Sequence, residues 1–471
     1  MLHDHRLFPA EGAARAVAVK LYETVKDLPI ISPHGHTDPS WFAENKPFPN
    51  PTALFLQPDH YIFRMLYSQG ISLESLGIPQ QGATGDPSAA QQVDPRAAWR
   101  IFAQNYFLFR GTPTRMWIDY AFQTLFGLNE RLSGDNADEY YDIIDKALQT
   151  PEFLPRSLFE RFRIEVLATT DAAVDSLSWH QQIRDSGWTG RVVPTFRPDA
   201  VVDAEYLGFK ENLVELGRVS GEDISTWKGY LNALRSRRAF FKSMGATATD
   251  HGHLTAMTAD LSATDASNLY ARIHSGNINP GDVELFQAQM LTEMAGMSVE
   301  DGLTMQLHPG SVRNHNLKVY QQFGRDKGCD IPSPTEYVRA LRPLLSKYGN
   351  EPNFTFIVFT LDESTFSREL APLAGHYPCL KLGPPWWFHD SPEGMMRFRE
   401  TATETAGFYN TVGFNDDTRA LLSIPARHDV ARRIDCAFLG RLVAEHRLDE
   451  GEAFEVVKDL TVNLVRKAYR L

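Results

Sequence analysis

Eight short β-rich runs, separated by longer stretches of helical pattern, limit the fold of this chain more than any other feature. They are PIISPHGH from Pro29, IEVLATTD from Ile164, RVVPTFRPD from Arg191, GATATDHG from Gly245, TMQLHPG from Thr304, NFTFIVFTLD from Asn353, CLKLGPPWW from Cys379 and YNTVGFNDD from Tyr409. Strands that alternate with helices pair in parallel, because each helix carries the chain back across the sheet. Eight such units point to a closed (β/α)8 TIM barrel, with a doubly wound open sheet as the alternative. The 471 residues accommodate this, since such a barrel needs about 250 and tolerates large insertions. Most of the runs end in a polar cluster, as expected where strand C-termini build the working face of a barrel.

The interval from Trp41 to Arg163 is too long for one crossover helix and carries helical patterns of its own. The expected division is therefore residues 1–40 as an N-terminal helix and first strand, 41–163 as an inserted helical subdomain, and 164–471 as the rest of the barrel. Within the insertion, PQQGATGDPSAAQQVDP from Pro79 reads as a surface loop. Further helices are expected between Val201 and Lys242.

The sharpest chemical feature is His34-Gly35-His36, directly after the first apolar run. Residues i and i+2 of an extended strand share a face, so both imidazoles can point at one metal ion. The spacing alone is weak, since the chain also has His3-Asp4-His5, best read as a solvated tail, and His251-Gly252-His253, where structural and functional readings balance. An acidic ligand is available at Asp416-Asp417 after the last run, which in a closed barrel lies beside the first. Adjacent side chains alternate, so only one of the two should face inward; helix capping is the structural alternative for the pair. Arg197, Arg313 and Arg419 gather at or just beyond run ends, and a cluster of planar guanidinium forks suits a carboxylated substrate, although each could be a structural ion pair. His308 could be a ligand, a proton carrier, a substrate donor or a core residue.

Bulk properties exclude some classes. A formal charge of −12 gives no basic field for holding nucleic-acid phosphates. The longest β-like apolar run, FTFIVFTL, is far shorter than the roughly 20 residues of a membrane span. The amphipathic N-terminus lacks the pattern of a secretion signal. The three widely spaced cysteines, Cys329, Cys379 and Cys436, form neither a disulfide framework nor a zinc-finger pattern, so a reducing, cytoplasmic setting is expected.

Taken in order, SPHGHTDP, PDHYIFR, TFRPD, ATDHG, LHPG with a nearby Arg, GPPWWF and DDTR resemble the motifs of the uronate isomerases of the amidohydrolase superfamily, over nearly the whole chain. The resemblance implies a TIM barrel of the metal-dependent hydrolase type that binds one divalent ion, commonly zinc. It implies conversion of D-glucuronate to D-fructuronate and of D-galacturonate to D-tagaturonate. By motif, His34, His36 and Asp417 would be the metal ligands, and His60 and Tyr61 would be the family's His-Tyr pair. Arg197, Asp250, His308, Arg313 and Trp386 would line the substrate site, with Arg419 two residues beyond Asp417. Two-metal members of the superfamily generally bridge their ions through a modified lysine on the fourth strand; GATATDHG has none, which favours a single ion.

The reaction so implied opens the sugar ring, removes a proton from C2 and returns one at C1 through an enediol. Asp417 would assist ring opening and move hydroxyl protons. Tyr61 is the first choice for the carbon proton, on condition that contact with His60 or the metal lowers its pKa from about 10, with His60 close behind; the arginines would anchor the carboxylate. The alternative is a metal-dependent hydrolase or decarboxylase, since the same ligands can activate water. A non-catalytic sugar-acid binder would have no need of ligands and bases together. A homo-oligomer acting on a small sugar acid is expected.

Overall fold

The computed structural model describes residues 2–80 and 93–471. Its barrel strands are β1 (Ile30–Ser32), β2 (Ile164–Ala168, resuming as Asp171–Ala172), β3 (Val192–Val193, resuming as Phe196–Arg197), β4 (Ala248–His251), β5 (Thr304–Leu307), β6 (Phe356–Val358) and β7 (Leu380–Leu382). An eighth, β8, shrinks to a parallel bridge from Leu382 to Thr411. The two pieces of β2 and of β3 belong together. Leu167, Thr169, Asp171 and Ala173 donate in turn to the carbonyls of Arg191, Val193, Thr195 and Arg197, a ladder running through both interruptions. All the barrel pairings are parallel. The ring closes where the His36 amide donates to the Thr418 carbonyl at 3.1 Å. Closure excludes the open doubly wound sheet: the last polar cluster lies beside the first.

Side-chain alternation sorts each strand into an inner and an outer face. In β6, Ile357 packs inside the barrel with Ile31, Val166 and Ala248. Its neighbours Phe356 and Val358 face outward onto the helix layer, with Met305 and Leu307 of β5. Strands buried on both faces read as unbroken apolar runs, which is why they stood out in the sequence. The same rule divides β4: Ala248 and Asp250 point in, while Thr249 and His251 point out and touch each other, Thr249 Oγ1 lying 3.0 Å from His251 Nε2.

Between β1 and β2 the described residues form seven α-helices, from Pro39–Glu44 to Pro155–Arg161. Their apolar faces share one core with Ile164 and Leu167 of β2 and with Leu421 and Leu422 beyond β8, so this layer leans on the barrel. The loop expected from Pro79 falls mostly on residues 81–92, outside the described residues; Asp94 and Pro95 cap and begin the helix Pro95–Gln104. Helices Asp199–Val202, Phe209–Ser220 and Trp227–Ser243 fill the interval after β3. The helix Ile424–Ala444 packs against the N-terminal helix Gly12–Val25 at Gly440, where a Cβ would lie 2.6 Å from the Ala14 carbonyl oxygen. Among the described residues no helix is long and apolar enough to cross a membrane.

Candidate metal centre and substrate cavity

At the C-terminal ends of β1 and β8 three side chains converge. His34 Nε2 and His36 Nε2 lie 3.3 Å and 3.1 Å from Asp417 Oδ1. Donors bound 2.0–2.1 Å from one tetrahedral ion sit roughly 3.3 Å apart, so the trio has the spacing of a shared metal site. Among the described residues these three form a group whose donor atoms all fall within 4.8 Å of one another. The donor chemistry fits as well: two imidazoles and a carboxylate suit a borderline divalent ion, and Asp417 Oδ1 is buried without a hydrogen bond.

Local structure explains the convergence. Gly35 separates the imidazoles, and its carbonyl accepts a hydrogen bond from Thr170 Oγ1 at 2.9 Å. Asp417 adopts φ +40°, a conformation uncommon for a non-glycine residue and typical of functional sites. Its other oxygen accepts the indole N–H of Trp386, which fixes the carboxylate's rotation. Asp416 turns the opposite way, its Oδ2 3.0 Å from His428 Nε2, so of the adjacent pair only Asp417 faces the imidazoles. Although burial opposes it, His34 and His36 hold the Asp417 carboxyl well below the usual range. Burial also opposes protonation of His34, but Asp250 and Asp417 outweigh it and raise its pKa; for His36 burial prevails and lowers it.

Behind this trio sits a second group, centred on the fully buried Asp250. Asp250 lies 2.7 Å from His308 Nε2, 3.4 Å from Arg197 Nη1 and 3.9 Å from His34 Nδ1, and these neighbours hold its carboxyl well below normal although burial opposes it. Arg197 also donates to Asp199 at 2.7 Å. Gly252 makes room for this cluster: a Cβ there would come within 2.6 Å of Arg197 Nη2, 2.8 Å of His308 Cε1 and 3.0 Å of Asp199 Oδ2.

The trio opens into a cavity of about 340 Å³ whose lining includes His34, His36, His60, Tyr61, Arg197, His308, Arg313, Trp386, Asp417 and Arg419. Asp250 differs from expectation: it has no exposed surface and stands behind the wall, acting on the cavity through His308 and Arg197 rather than lining it. His60 and Tyr61 occupy the first turn of the helix His60–Ser68, whose N-cap, Asp59, accepts the Tyr61 amide at 2.8 Å. Their rings stack at 4.5 Å, and the Tyr61 hydroxyl donates to the Trp387 carbonyl at 3.3 Å. His60 does not supply the lowering that a basic Tyr61 would need: burial pushes the phenol up and the Arg427 charge only partly opposes it. His60 is held down at about 3 by burial and by Arg419 and Arg64, and its Nε2 is buried without a partner.

The arginines are mostly paired: Arg313 with Asp330 at 2.8 Å and Arg419 with Asp326 at 3.1 Å. His251 points outward onto Thr249, and His3 and His5 lie in an exposed turn; these imidazoles are outside the cavity lining. Lys242 donates to the Asp301 carbonyl, away from the strand ends. The three cysteines are free thiols. Sequence reading missed Asp59, Asp199, Tyr206, Arg325, Asp326, Asp330, Trp387 and Arg427, all of which line the cavity. Asp59 had a signal, an N-cap residue directly before His60-Tyr61; Arg427, on the helix Ile424–Ala444, had none.

A closed ring of eight parallel strands with imidazoles and a carboxylate at the ends of its first and last members defines a (β/α)8 barrel of the metal-dependent hydrolase type. A family model described as glucuronate isomerase matches residues 12–469, and the chain belongs to that family. It is 62% identical to a uronate isomerase of Phenylobacterium zucineum, over 100% of this chain and 97% of the relative. The solved structure of glucuronate isomerase from Caulobacter crescentus superposes with a TM-score of 0.97 at 59% identity, covering 100% of this chain and 97% of that one. That of uronate isomerase from Thermotoga maritima reaches 0.92 at 27% identity, covering 100% and 99%.

Proposed function

We infer that this protein is an aldose–ketose isomerase of hexuronic acids, converting D-glucuronate to D-fructuronate and D-galacturonate to D-tagaturonate. One divalent ion, zinc in the simplest reading, would be held by His34, His36 and Asp417. The observation that carries this reading is a single cavity in which two imidazoles and a carboxylate converge while five arginines line the same space. An anionic sugar acid matches both features. The metal-dependent hydrolase or decarboxylase alternative has no support among the relatives named above, all of which are isomerases. The same reading places the enzyme in the cytoplasm as a homo-oligomer.

When bound, the ion supplies Lewis-acid polarisation of a carbonyl and its neighbouring hydroxyl. Asp417, ionised and oriented by Trp386, accepts a hydroxyl proton as the ring opens. For the C2 proton the favoured acceptor is now His60: its imidazole is neutral at neutral pH and its Nε2 is free. A developing enediolate near Arg419 and Arg64 offsets the positive field that depresses His60, making it a stronger base when it is needed. As the proton leaves C2, its bonding pair forms the C1=C2 enediol and the former carbonyl oxygen takes a proton. A proton then returns at C1, O2 loses its own, and the mass is unchanged. Tyr61, kept protonated by burial, donates a hydrogen bond to a substrate oxygen, and His308, braced by Asp250, contacts another.

Incubation of purified protein with glucuronate, with and without a chelator, tests this directly. A ketose of unchanged mass, whose formation stops on chelation, is the expected product. Loss of carbon dioxide or addition of water would replace the isomerase with the hydrolase or decarboxylase.

A further inference from the structure

Five arginines line the cavity, yet four have charges already committed. Arg197 pairs with Asp199 and Asp250, Arg313 with Asp330, Arg419 with Asp326 and Arg427 with Asp390. Arg325 differs. Among the described residues it has no carboxylate within ion-pair distance, and its guanidinium lies over the ring of Tyr206, 4.3 Å from the centroid. Stacking holds the plane of a guanidinium without neutralising it and leaves the in-plane N–H fork free for a carboxylate.

We propose that Arg325 is the residue that captures the substrate's carboxylate, with Tyr206 as its positioning residue. The proposal rests on the hexuronate reading of the site. Arg325 is exposed whereas His34 is buried and His36 and Asp417 are half-buried, so the free cation stands nearer the mouth and the candidate metal ligands deeper. An open-chain hexuronate has the same polarity, with a carbonyl to be activated at one end and a carboxylate at the other. Arg325 also directly precedes two anchors on its own segment. Asp326 and Asp330 reach Arg419 and Arg313, so two arginines expected from the sequence to bind the carboxylate instead pin the stretch that presents Arg325. A second anion entering there meets an uncompensated charge, whereas at Arg313 or Arg419 it would compete with a carboxylate already in place.

The test uses the metal-loaded enzyme and the variants Arg325→Met, Arg325→Lys, Tyr206→Leu and Tyr206→Phe. Steady-state kinetics with glucuronate is paired with calorimetric binding of glucarate, a six-carbon diacid that lacks the aldehyde, and of neutral sorbitol. Arg325→Met should raise KM about tenfold or more, the loss expected for one charge-assisted hydrogen bond, with a smaller change in kcat. Glucarate binding should weaken in parallel, and sorbitol binding should not change. Arg325→Lys should recover part of the loss; Tyr206→Phe should resemble the unmodified enzyme and Tyr206→Leu should not. Because Arg325 is exposed, its replacement leaves the fold intact, which circular dichroism verifies. Unchanged KM and glucarate affinity in Arg325→Met, in a preparation whose unmodified enzyme isomerises glucuronate, would overturn the proposal alone. Failure of the unmodified enzyme to isomerise any hexuronate would overturn the hexuronate reading and this proposal with it.

Discussion

Replacing Gly252 with alanine perturbs the buried cluster behind the metal centre without touching a metal ligand. The added methyl would lie 2.6 Å from Arg197 Nη2, 2.8 Å from His308 Cε1 and 3.0 Å from Asp199 Oδ2. Non-bonded heavy atoms settle at about 3.5–4.0 Å, so Arg197 and His308 must each retreat by about 1 Å. A long side chain often yields cheaply, but Arg197 is held by Asp199 at 2.7 Å and Asp250 at 3.4 Å, and His308 by Asp250 at 2.7 Å. Moving them disturbs the carboxylate that also faces His34. A misplacement of this size costs on the order of 100-fold in rate, or about 2.7 kcal/mol of barrier, and overpacking should destabilise the fold by about 1–3 kcal/mol. Glucuronate kinetics together with urea unfolding would measure both. Full activity in the Gly252→Ala protein would show that the Arg197–Asp199–Asp250–His308 arrangement does not position the reacting groups.

Two further outcomes follow from the same geometry. Asp417→Asn should lower activity by more than about 100-fold, since even the outer partners of metal ligands are worth 10–100-fold, whereas Asp416→Asn should keep most activity and lose stability through its His428 contact; equal losses in the two variants would mean that the inward residue is misassigned. Metal affinity should keep rising with pH through neutrality, because Asp250 and Asp417 raise the pKa of His34 above its ordinary 6.5 and a ligand must shed its proton to bind. Asp250→Asn should shift that rise to lower pH, and a flat affinity from slightly acid to slightly alkaline solution would contradict the assignment.

The barrel was legible because parallel strands are buried on both faces and write themselves as apolar runs, as Phe356, Ile357 and Val358 do. The last strand was legible by its polar end, Asp416-Asp417, more than by its pairing, which amounts to one bridge at Thr411. The convergence of His34, His36 and Asp417 could be read because HxH spacing and strand alternation are local rules, and alternation applied to Asp250-His251 would also have turned His251 outward. Electrostatics was harder to read. Whether Arg313 or Arg419 is free depends on Asp330 and Asp326, carried by a segment between β5 and β6 whose placement over the cavity is set by tertiary packing. Arg427 is a buried cation on a helix, paired with Asp390 at 2.6 Å across 37 residues of sequence, and no local pattern marks such a pair. Tyr61 shows the same limit: whether its neighbour His60 could lower its pKa depends on packing, and here the rings stack and burial drives the phenol up.

Elemental analysis of freshly purified protein, repeated after chelation and on reconstitution with a single divalent ion, tests the mononuclear isomerase most directly. One equivalent per chain is expected, with glucuronate isomerisation lost on its removal, restored by one added equivalent, and not restored in Asp417→Asn. Two tightly held ions per chain, or undiminished isomerisation in protein stripped of metal, would contradict a single catalytic ion held by His34, His36 and Asp417.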